Sequence, residues 1–356
     1  MKVKTVKQVY IRAYTPYQNN DNLKGLLNPG FEVDVIEEVS GQSIDGNSIW
    51  YKDKNGDYYW SGAFDTFPGV DKEIPLESHN YNMTFRNLLP KYRNSRGRGV
   101  RIALLDTGIL KNHIVLSSRK IIEKNFLPGI GDSDVDGHGT ACASLINGYA
   151  KNSPVFCGTA PEAELISCKV AENRNAFSPE AVIKALEFIR QEGDIDIVNM
   201  SFQVAGKQYE QKIVNLLSAF SNSTLFIAAA RNNDKLFKDY LAFPASHNAV
   251  IAVGQVTPAE LKKNMNLGKN IHPGVSYLME YMPYLTAGIE STGDMEQPFG
   301  SSYSTALVSG ISALIVSEFK SRGVVAVRED VKSKLTAMSF DLTPMDLNKE
   351  LKLFSL

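Results

Sequence analysis

The sequence predicts an α/β protein whose main domain contains a doubly wound, mainly parallel β-sheet, with a small all-β domain in front of it. Two observations support this fold class. Nearly continuous apolar runs of strand length recur after residue 100 with helical patterns between them, as expected where helices cover both faces of a parallel sheet. The first 66 residues instead hold short segments rich in β-branched and aromatic residues, separated by turn formers.

The chain has 356 residues, enough for about two domains. We predict a β domain at 1–67, a linker that leads into the main domain at 68–97, and the main domain at 98–356. The linker contains Pro, Asn and Arg and shows only weak hydrophobic periodicity.

The first domain is predicted from the segments KQVYIRAY, FEVDVIEEV, SIWYKDK and DYYWSGAF. Asn55-Gly56 separates the last two segments and predicts a hairpin with a type I′ turn, in which both central residues need positive φ. LNPGFEVDVIEEV and IWYKDKNGDYYWSGAF resemble the middle and closing strands of bacterial Src-homology-3-like domains. The resemblance implies a small antiparallel β-barrel that binds a protein or a peptidoglycan ligand.

The main domain alternates predicted strands with predicted helices. Ser178, Pro179 and Glu180 supply an N-cap, a proline at the first helical position and an early acidic residue, so a helix is expected to start there. A second helical apolar face begins near Tyr209. The predicted strands lie at 100–106, 163–170, 195–202, 224–230 and 249–256.

Charge and composition argue against several classes of protein. The net charge is −1, so no global field favours nucleic acid or an anionic membrane. No apolar run reaches about 18 residues, and the N-terminus lacks the apolar core of a secretory signal. Cys142, Cys157 and Cys168 are too few and too scattered for a disulfide framework or a zinc site, so we expect buried thiols in a reducing cytoplasm.

Candidate catalytic residues follow the predicted strands, where the active-site groups of parallel sheets collect. Asp106 ends the first strand, a place where an aspartate can also simply cap a turn. His138 stands between two glycines at the start of a helical pattern, and Ser302 lies at the start of another in FGSSYSTALVSG. A serine hydroxyl needs a base, and the base needs an orienting carboxylate. The partial positive charge of a helix N-terminus would stabilise a developing oxyanion.

Three blocks in this order resemble those of the subtilisin-like serine peptidases, the subtilases. ALLDTGI is similar to the family's Asp block, DGHGTACAS to its His block and GSSYSTALVSG to its Ser block. The resemblance spans about residues 80–340 and implies a catalytic triad of Asp106, His138 and Ser302. Ser302 is chosen among the serines because it is the second residue after Gly300. Two later serines of the block are expected to be small packing residues, namely Ser304 and Ser309.

The resemblance also implies a second oxyanion donor and a substrate pocket. FIAAARNND is similar to a family segment that places the donor at Asn232, whose loss costs about 3–4 kcal/mol of transition-state stabilisation. IVNMSFQ matches the segment that lines the primary specificity pocket, here Ser201, Phe202 and Gln203. Arg231 and Gln203 stand where the family has glycines, which predicts a narrowed, cationic pocket that favours acidic or small side chains. An Arg231 turned to solvent would leave the charge of the pocket unchanged.

No metal or cofactor is expected. The family's common calcium position has Val115 in place of an aspartate, and Asn152 alone offers too few oxygens for a hard cation. The predicted function is a cytoplasmic serine endopeptidase that acts on a protein or peptide substrate, without a nucleic-acid or membrane partner. The alternative is a weakly active or inactive scaffold of the same fold, in which Arg231 blocks the cleft and the β domain carries the function.

Overall fold

The computed structural model describes residues 2–16, 22–44, 47–64, 95–149, 158–230, 241–256, 272, 274–280, 285–291, 293–338, 340–342 and 351–354. The described residues form two compact units, one from 2–64 and the other from those beyond 95. None of the described helices is long and apolar enough to cross a membrane. The two predicted domain boundaries, at 67/68 and 97/98, remain predictions, and the first of them lies outside the described residues.

The first unit is an antiparallel sheet, as its all-β pattern predicts. Its six described strands are β1 (Lys2–Lys4), β2 (Val9–Ala13), β3 (Leu23–Leu27), β4 (Glu32–Ile44), β5 (Asn47–Asp53) and β6 (Asp57–Trp60). They are ordered β1-β4-β5-β6-β2-β3. The edges of the Tyr51 and Tyr59 rings meet the ring of Phe64 in a buried core. A closed Src-homology-3-like barrel is not established and remains a prediction.

The hairpin between β5 and β6 is confirmed, but the predicted type I′ turn is wrong. Within the turn, positive φ is confined to Gly56, at 79°. The Gly56 N–H donates to the Asp53 carbonyl at 3.0 Å, and Asp53 Oδ1 accepts from the backbone N–H groups of Asn55 and Asp57, each at 2.9 Å. The aspartate therefore stabilises a three-residue loop that ends in a left-handed glycine, which the dipeptide Asn-Gly alone does not reveal.

The second unit is built on a nine-stranded sheet ordered β16-β17-β13-β12-β11-β10-β7-β9-β8. All of its neighbouring pairs are parallel except β16 with β17. The sheet strands are β7 (Arg101–Asp106), β8 (Ile121–Asn125), β9 (Glu164–Lys169), β10 (Ile197–Met200), β11 (Leu225–Ala229), β12 (Val250–Val256), β13 (Tyr277–Glu280), β16 (Phe340–Leu342) and β17 (Leu351–Phe354). A separate two-stranded pair is formed by β14 (Thr286–Ala287) and β15 (Met295–Glu296).

Helices cover both faces of this sheet, which confirms the predicted doubly wound architecture. The described helices are α1 (His138–Asn147), α2 (Pro179–Glu192), α3 (Lys207–Ser218), α4 (Ser301–Ser321) and α5 (Arg328–Met338). Helices α1, α4 and α5 share one core, which contains Ile102 and Leu104 of β7. The intervening Ala103 and Leu105 face the other core, with α2 and α3. The predicted start of α2 is confirmed, because the Ser178 hydroxyl accepts the Ala181 N–H at 3.2 Å.

The strand order predicts a crevice at the carboxyl ends of β7 and β10. Strands β8 and β9, which follow β7 in the chain, lie on one side of it in the sheet. The next strand, β10, lies on the other side of β7. Connections that leave such a pair of strands diverge to opposite sides, so a gap opens above the strand ends. Asp106 ends β7 and Ser201 follows β10, so both residues lie at this gap.

Candidate active site

Asp106 is fully buried at the end of β7. Its Oδ1 accepts the Thr107 N–H at 2.8 Å and a hydrogen bond from His138 Nδ1 at 2.6 Å. Among the described residues, Oδ2 has no hydrogen-bond partner. The carboxylate is therefore directed at one ring nitrogen of His138, which orients the imidazole and keeps the proton on Nδ1.

His138 opens helix α1, and the two flanking glycines have separate structural roles. Gly137 has φ of 92°, a left-handed conformation that side-chain-bearing residues rarely adopt. A Cβ on Gly139 would collide with the Gly108 carbonyl oxygen, so only glycine lets the helix start approach the end of β7 this closely. Gly139 is thus required by the close approach of two backbone segments, and Gly137 by its left-handed conformation.

Asp134 holds the turn that presents His138, and the sequence interpretation missed it. Its Oδ1 accepts the N–H groups of Asp136 and Gly137, both at 3.0 Å. Its Oδ2 accepts the N–H of Thr140 at 2.9 Å and its hydroxyl at 2.7 Å. One buried carboxylate thus satisfies four donors around the start of α1. An aspartate four residues before the histidine, followed by a helix, is a signal that could have revealed this cap.

Ser302 is the second residue of α4 and is partly exposed. Its hydroxyl donates to the Ser201 carbonyl at 2.9 Å, and the Ser201 hydroxyl donates back to the Ser302 carbonyl at 2.8 Å. This reciprocal pair fixes the start of α4 at the end of β10. No hydrogen bond joins Ser302 to His138 in the described structure. The start of α4 nevertheless lies beside His138, because the ring of Tyr303, the residue after Ser302, lies 5.4 Å from the His138 ring, centroid to centroid.

Arg174 connects the loop after β9 to the histidine turn and to α4. Its Nε donates to Asp136 Oδ1 at 2.8 Å, and its Nη2 donates to the Asp136 carbonyl at 2.8 Å. Its Nη1 reaches the Tyr303 hydroxyl at 3.4 Å. A cation therefore lies beside the imidazole, in a position that the sequence patterns did not indicate.

The pKa of His138 reflects several opposing contributions. Burial lowers it most strongly, because the charged imidazolium is poorly solvated. The charge of Asp106 and the hydrogen bond to it raise the pKa, Asp136 adds to this, and Arg174 lowers it. The net pKa lies above the ordinary histidine value. The site is thus arranged to accept a proton on the imidazole.

Comparison with known proteins assigns the chain to a family. Residues 97–345 match the subtilase family. The chain belongs to the subtilase family. The resemblance expected from the Asp, His and Ser blocks is therefore confirmed, and the α/β fold with its parallel sheet agrees with it.

Several characterised subtilases are similar to this chain. The major intracellular serine protease of Bacillus subtilis (strain 168) is 33% identical over 186 residues, which cover 49% of this chain and 57% of that protein. Subtilisin DY of Bacillus licheniformis is 26% identical over 252 residues, covering 68% of this chain and 85% of that protein. The solved structure of the prenylagaramide maturation protease PagA has a TM-score of 0.58 and 25% identity, covering 74% of this chain and 92% of that one. The family and these relatives classify the chain as a serine-type endopeptidase.

The structure describes some of the predicted pocket residues and not others. Ser201 and Phe202 are buried, and the Phe202 ring stacks on Phe177 with centroids 4.5 Å apart. Gln203 is partly buried. Asn232 and Arg231 lie outside the described residues, so the second oxyanion donor and the cationic pocket remain predictions.

Among the described residues, Asp106, His138 and Cys142 bring a carboxylate oxygen, a ring nitrogen and a thiol within 4.8 Å of one another. Burial raises the pKa of the Cys142 thiol well above its ordinary value, and the Asp106 charge adds to this rise. The thiol is therefore protonated at neutral pH. The expected absence of a metal remains a prediction. Cys142 and Cys168 are free and buried, whereas Cys157 and Asn152 lie outside the described residues.

Proposed function

We propose that this subtilase hydrolyses peptide bonds through an acyl-enzyme on Ser302, with His138 as general base and acid and Asp106 as the orienting carboxylate. The observation that carries the proposal is the buried 2.6 Å hydrogen bond between Asp106 and His138 at the crevice above β7 and β10. Ser302 borders the same crevice at a helix N-terminus. Nucleophilic catalysis by a serine needs a base that a carboxylate orients, and the Asp106–His138 hydrogen bond supports this part of the proposal.

The first half of the reaction begins when the Ser302 hydroxyl turns from the Ser201 carbonyl toward His138 Nε2. Ser302 Oγ attacks the scissile carbonyl carbon, and its proton passes to Nε2. Asp106 stabilises the resulting imidazolium through Nδ1–H. His138 then gives the proton to the leaving amine as the carbon–nitrogen bond breaks, which leaves an ester on Ser302. Water attacks this ester in the second half, and its proton returns through His138 to Ser302 Oγ.

The tetrahedral intermediate needs hydrogen-bond donors directed at its negative oxygen. The Ser302 N–H belongs to the first turn of α4, where backbone N–H groups have no acceptor within the helix. We propose it as one donor and Asn232 as the other, with Ser201, Phe202, Gln203 and Arg231 lining the substrate pocket. The support for the last assignments is the similarity of the surrounding segments to the family's blocks.

Active-site labelling tests the triad. We expect a fluorophosphonate to label the wild-type protein, and labelling and peptide hydrolysis to fall by on the order of 10⁴-fold or more in Ser302→Ala and His138→Ala. Ser309→Ala and His247→Ala are matched controls of the same residue types that should label like wild type. Folded wild-type protein that resists labelling would contradict the proposal and favour the scaffold alternative.

The substrate is proposed to be a protein or peptide that enters the crevice in an extended form. The first unit is proposed to bind a protein or peptidoglycan ligand. Its antiparallel sheet with aromatic core residues is compatible with this proposal. A cytoplasmic location is proposed as well, supported by the relative named as an intracellular protease and by the free, buried cysteines.

A further inference from the structure

Gln255 is a polar side chain buried behind the turn that carries Ser302. It lies on β12, is 3% exposed, and is registered opposite Met279 of β13. The other residues of β12 are aliphatic or glycine. A buried amide costs free energy unless its hydrogen-bonding atoms find partners. The presence of a glutamine at this position in the strand therefore calls for a specific role.

Both polar atoms of the Gln255 amide are used on the same turn. Its Oε1 accepts the Gly300 N–H at 3.0 Å, and its Nε2 donates to Ser304 Oγ at 3.2 Å. The orientation of the amide is fixed, because a backbone N–H can only donate and so must meet the oxygen. Gly300 comes two residues before Ser302, and Ser304 comes two residues after it. One side chain from the sheet thus holds both ends of the segment that carries Ser302.

This segment has no cap of its own. The N-cap of α4 is Gly300, which has no side chain to bond the first-turn N–H groups. Its φ of 147° lies in a region that glycine adopts without strain because it has no Cβ. For the same reason the backbone of a glycine changes readily to other conformations. The reciprocal bonds with Ser201 hold Ser302 itself. Gln255 is the side chain that holds the glycine before it.

We infer that Gln255 is a positioning residue for proteolysis, which fixes the Gly300–Ser304 turn and thereby the directions of the Ser302 hydroxyl and N–H. The inference rests on the proposed function of Ser302. Displacement of a reacting group by about 1 Å can cost about 100-fold in rate. A loosened turn misplaces both the attacking oxygen and an oxyanion donor, so the loss should appear in kcat and much less in KM.

The test compares Gln255→Met with Gln255→Glu. Methionine keeps the volume and removes both hydrogen bonds. Glutamate keeps both contacts, since a carboxylate can accept from the Gly300 N–H and from the Ser304 hydroxyl. We expect Gln255→Met to lose about 10- to 100-fold in kcat, with KM changed less than about threefold, and Gln255→Glu to regain most of that loss. The rate of fluorophosphonate labelling should follow kcat.

The controls separate positioning from simple stability. Assays are made well below the measured melting temperature of each variant. Wild-type kcat in a folded Gln255→Met protein overturns the inference, even if its melting temperature is lowered. Should Gln255→Met not fold, Ser304→Ala decides, because it removes only the second contact: lowered kcat supports the inference and unchanged kcat overturns it. Activity retained by Ser302→Ala would instead refute the proposed function, whatever the Gln255 variants do.

Discussion

The protonation of His138 depends on charges that approach it from three different elements. Asp106 comes from the end of β7, Asp136 from the turn before α1 and Arg174 from the loop after β9. Tyr303 of α4 packs against the ring but stays neutral, since burial raises its pKa far above the neutral range. In the proposed mechanism His138 must be neutral to accept the Ser302 proton, so its pKa would set the acid limb of the pH–rate profile.

Arg174→Gln is expected to move that acid limb to higher pH. The guanidinium lowers the pKa of His138, so its removal raises this pKa, and the Asp136 carboxylate left without its partner acts in the same direction. The base then becomes neutral only at a higher pH. The measurement is kcat/KM for a peptide substrate as a function of pH, with Arg174→Lys as the control that keeps the charge.

Asp136→Asn is expected to have the opposite effect on the pKa of His138 from Arg174→Gln. It removes a charge that raises the pKa of His138 and leaves Arg174 without its carboxylate partner, so the acid limb should move to lower pH. The double variant Arg174→Gln/Asp136→Asn should return toward wild type. Identical acid limbs in all of these proteins would show that Arg174 does not act on His138.

Some residues of the site could be predicted from the sequence, whereas others depend on contacts between residues that are far apart in the sequence. Asp106 and His138 follow local rules, a strand end and a glycine-flanked helix start. Asp134 acts through backbone N–H groups, and such contacts leave only a weak pattern in the sequence. Gln255 and Arg174 meet their partners 45 and 129 residues away, and only the packing of strands and helices brings them together.

At the scale of elements, helix α4 shows why small residues recur in the segment that follows Ser302. Most of its residues are buried, and it packs between the sheet, α1 and α5. A Cβ on Gly310 would collide with Thr159 Oγ1 and approach Thr159 Cβ to 2.7 Å. The apolar runs predicted the strands correctly because both faces of the sheet are covered. They could not show that the side chain of Thr159 packs directly against Gly310.

Gly310→Ala should therefore destabilise the protein, although alanine is the better helix former. The gain in helix propensity is about 1 kcal/mol, whereas overpacking of a core costs about 1–3 kcal/mol. The clash involves a neighbouring Cβ as well as a hydroxyl, so we expect an overpacking cost near the upper part of that range and a net loss of about 2 kcal/mol. Urea unfolding monitored by circular dichroism, in a Ser302→Ala background to prevent self-digestion, measures it.

A double-mutant cycle assigns the Gly310 effect to its cause. Thr159→Gly removes the atoms that collide, so the loss caused by Gly310→Ala should shrink strongly in the double variant. Ser309→Ala changes the adjacent position without adding atoms and serves as the packing control. An alanine at position 310 that leaves the urea midpoint unchanged would mean that the close approach of Gly310 to Thr159 is not required.

For the whole molecule, the two compact units carry different spectroscopic reporters. The sequence contains two tryptophans, Trp50 and Trp60, and both lie in the first unit. Trp50 is 1% exposed and donates from its indole nitrogen to the Gln42 carbonyl at 2.9 Å. The described α-helices all belong to the second unit. Tryptophan fluorescence thus reports on the first unit, and the helical circular dichroism signal reports on the second.

Urea unfolding of the Ser302→Ala protein should give two transitions that do not coincide. A unit of about 60 residues buries only about 60% of the surface of its unfolded chain, a smaller fraction than a larger unit buries, so its stability is lower. The first unit also has its own core, separate from the two cores that flank the nine-stranded sheet. We therefore expect the fluorescence midpoint at a lower urea concentration than the midpoint at 222 nm, with a smaller m-value because less surface is exposed. Superimposable transitions would contradict this and mean that the two units unfold as one cooperative body.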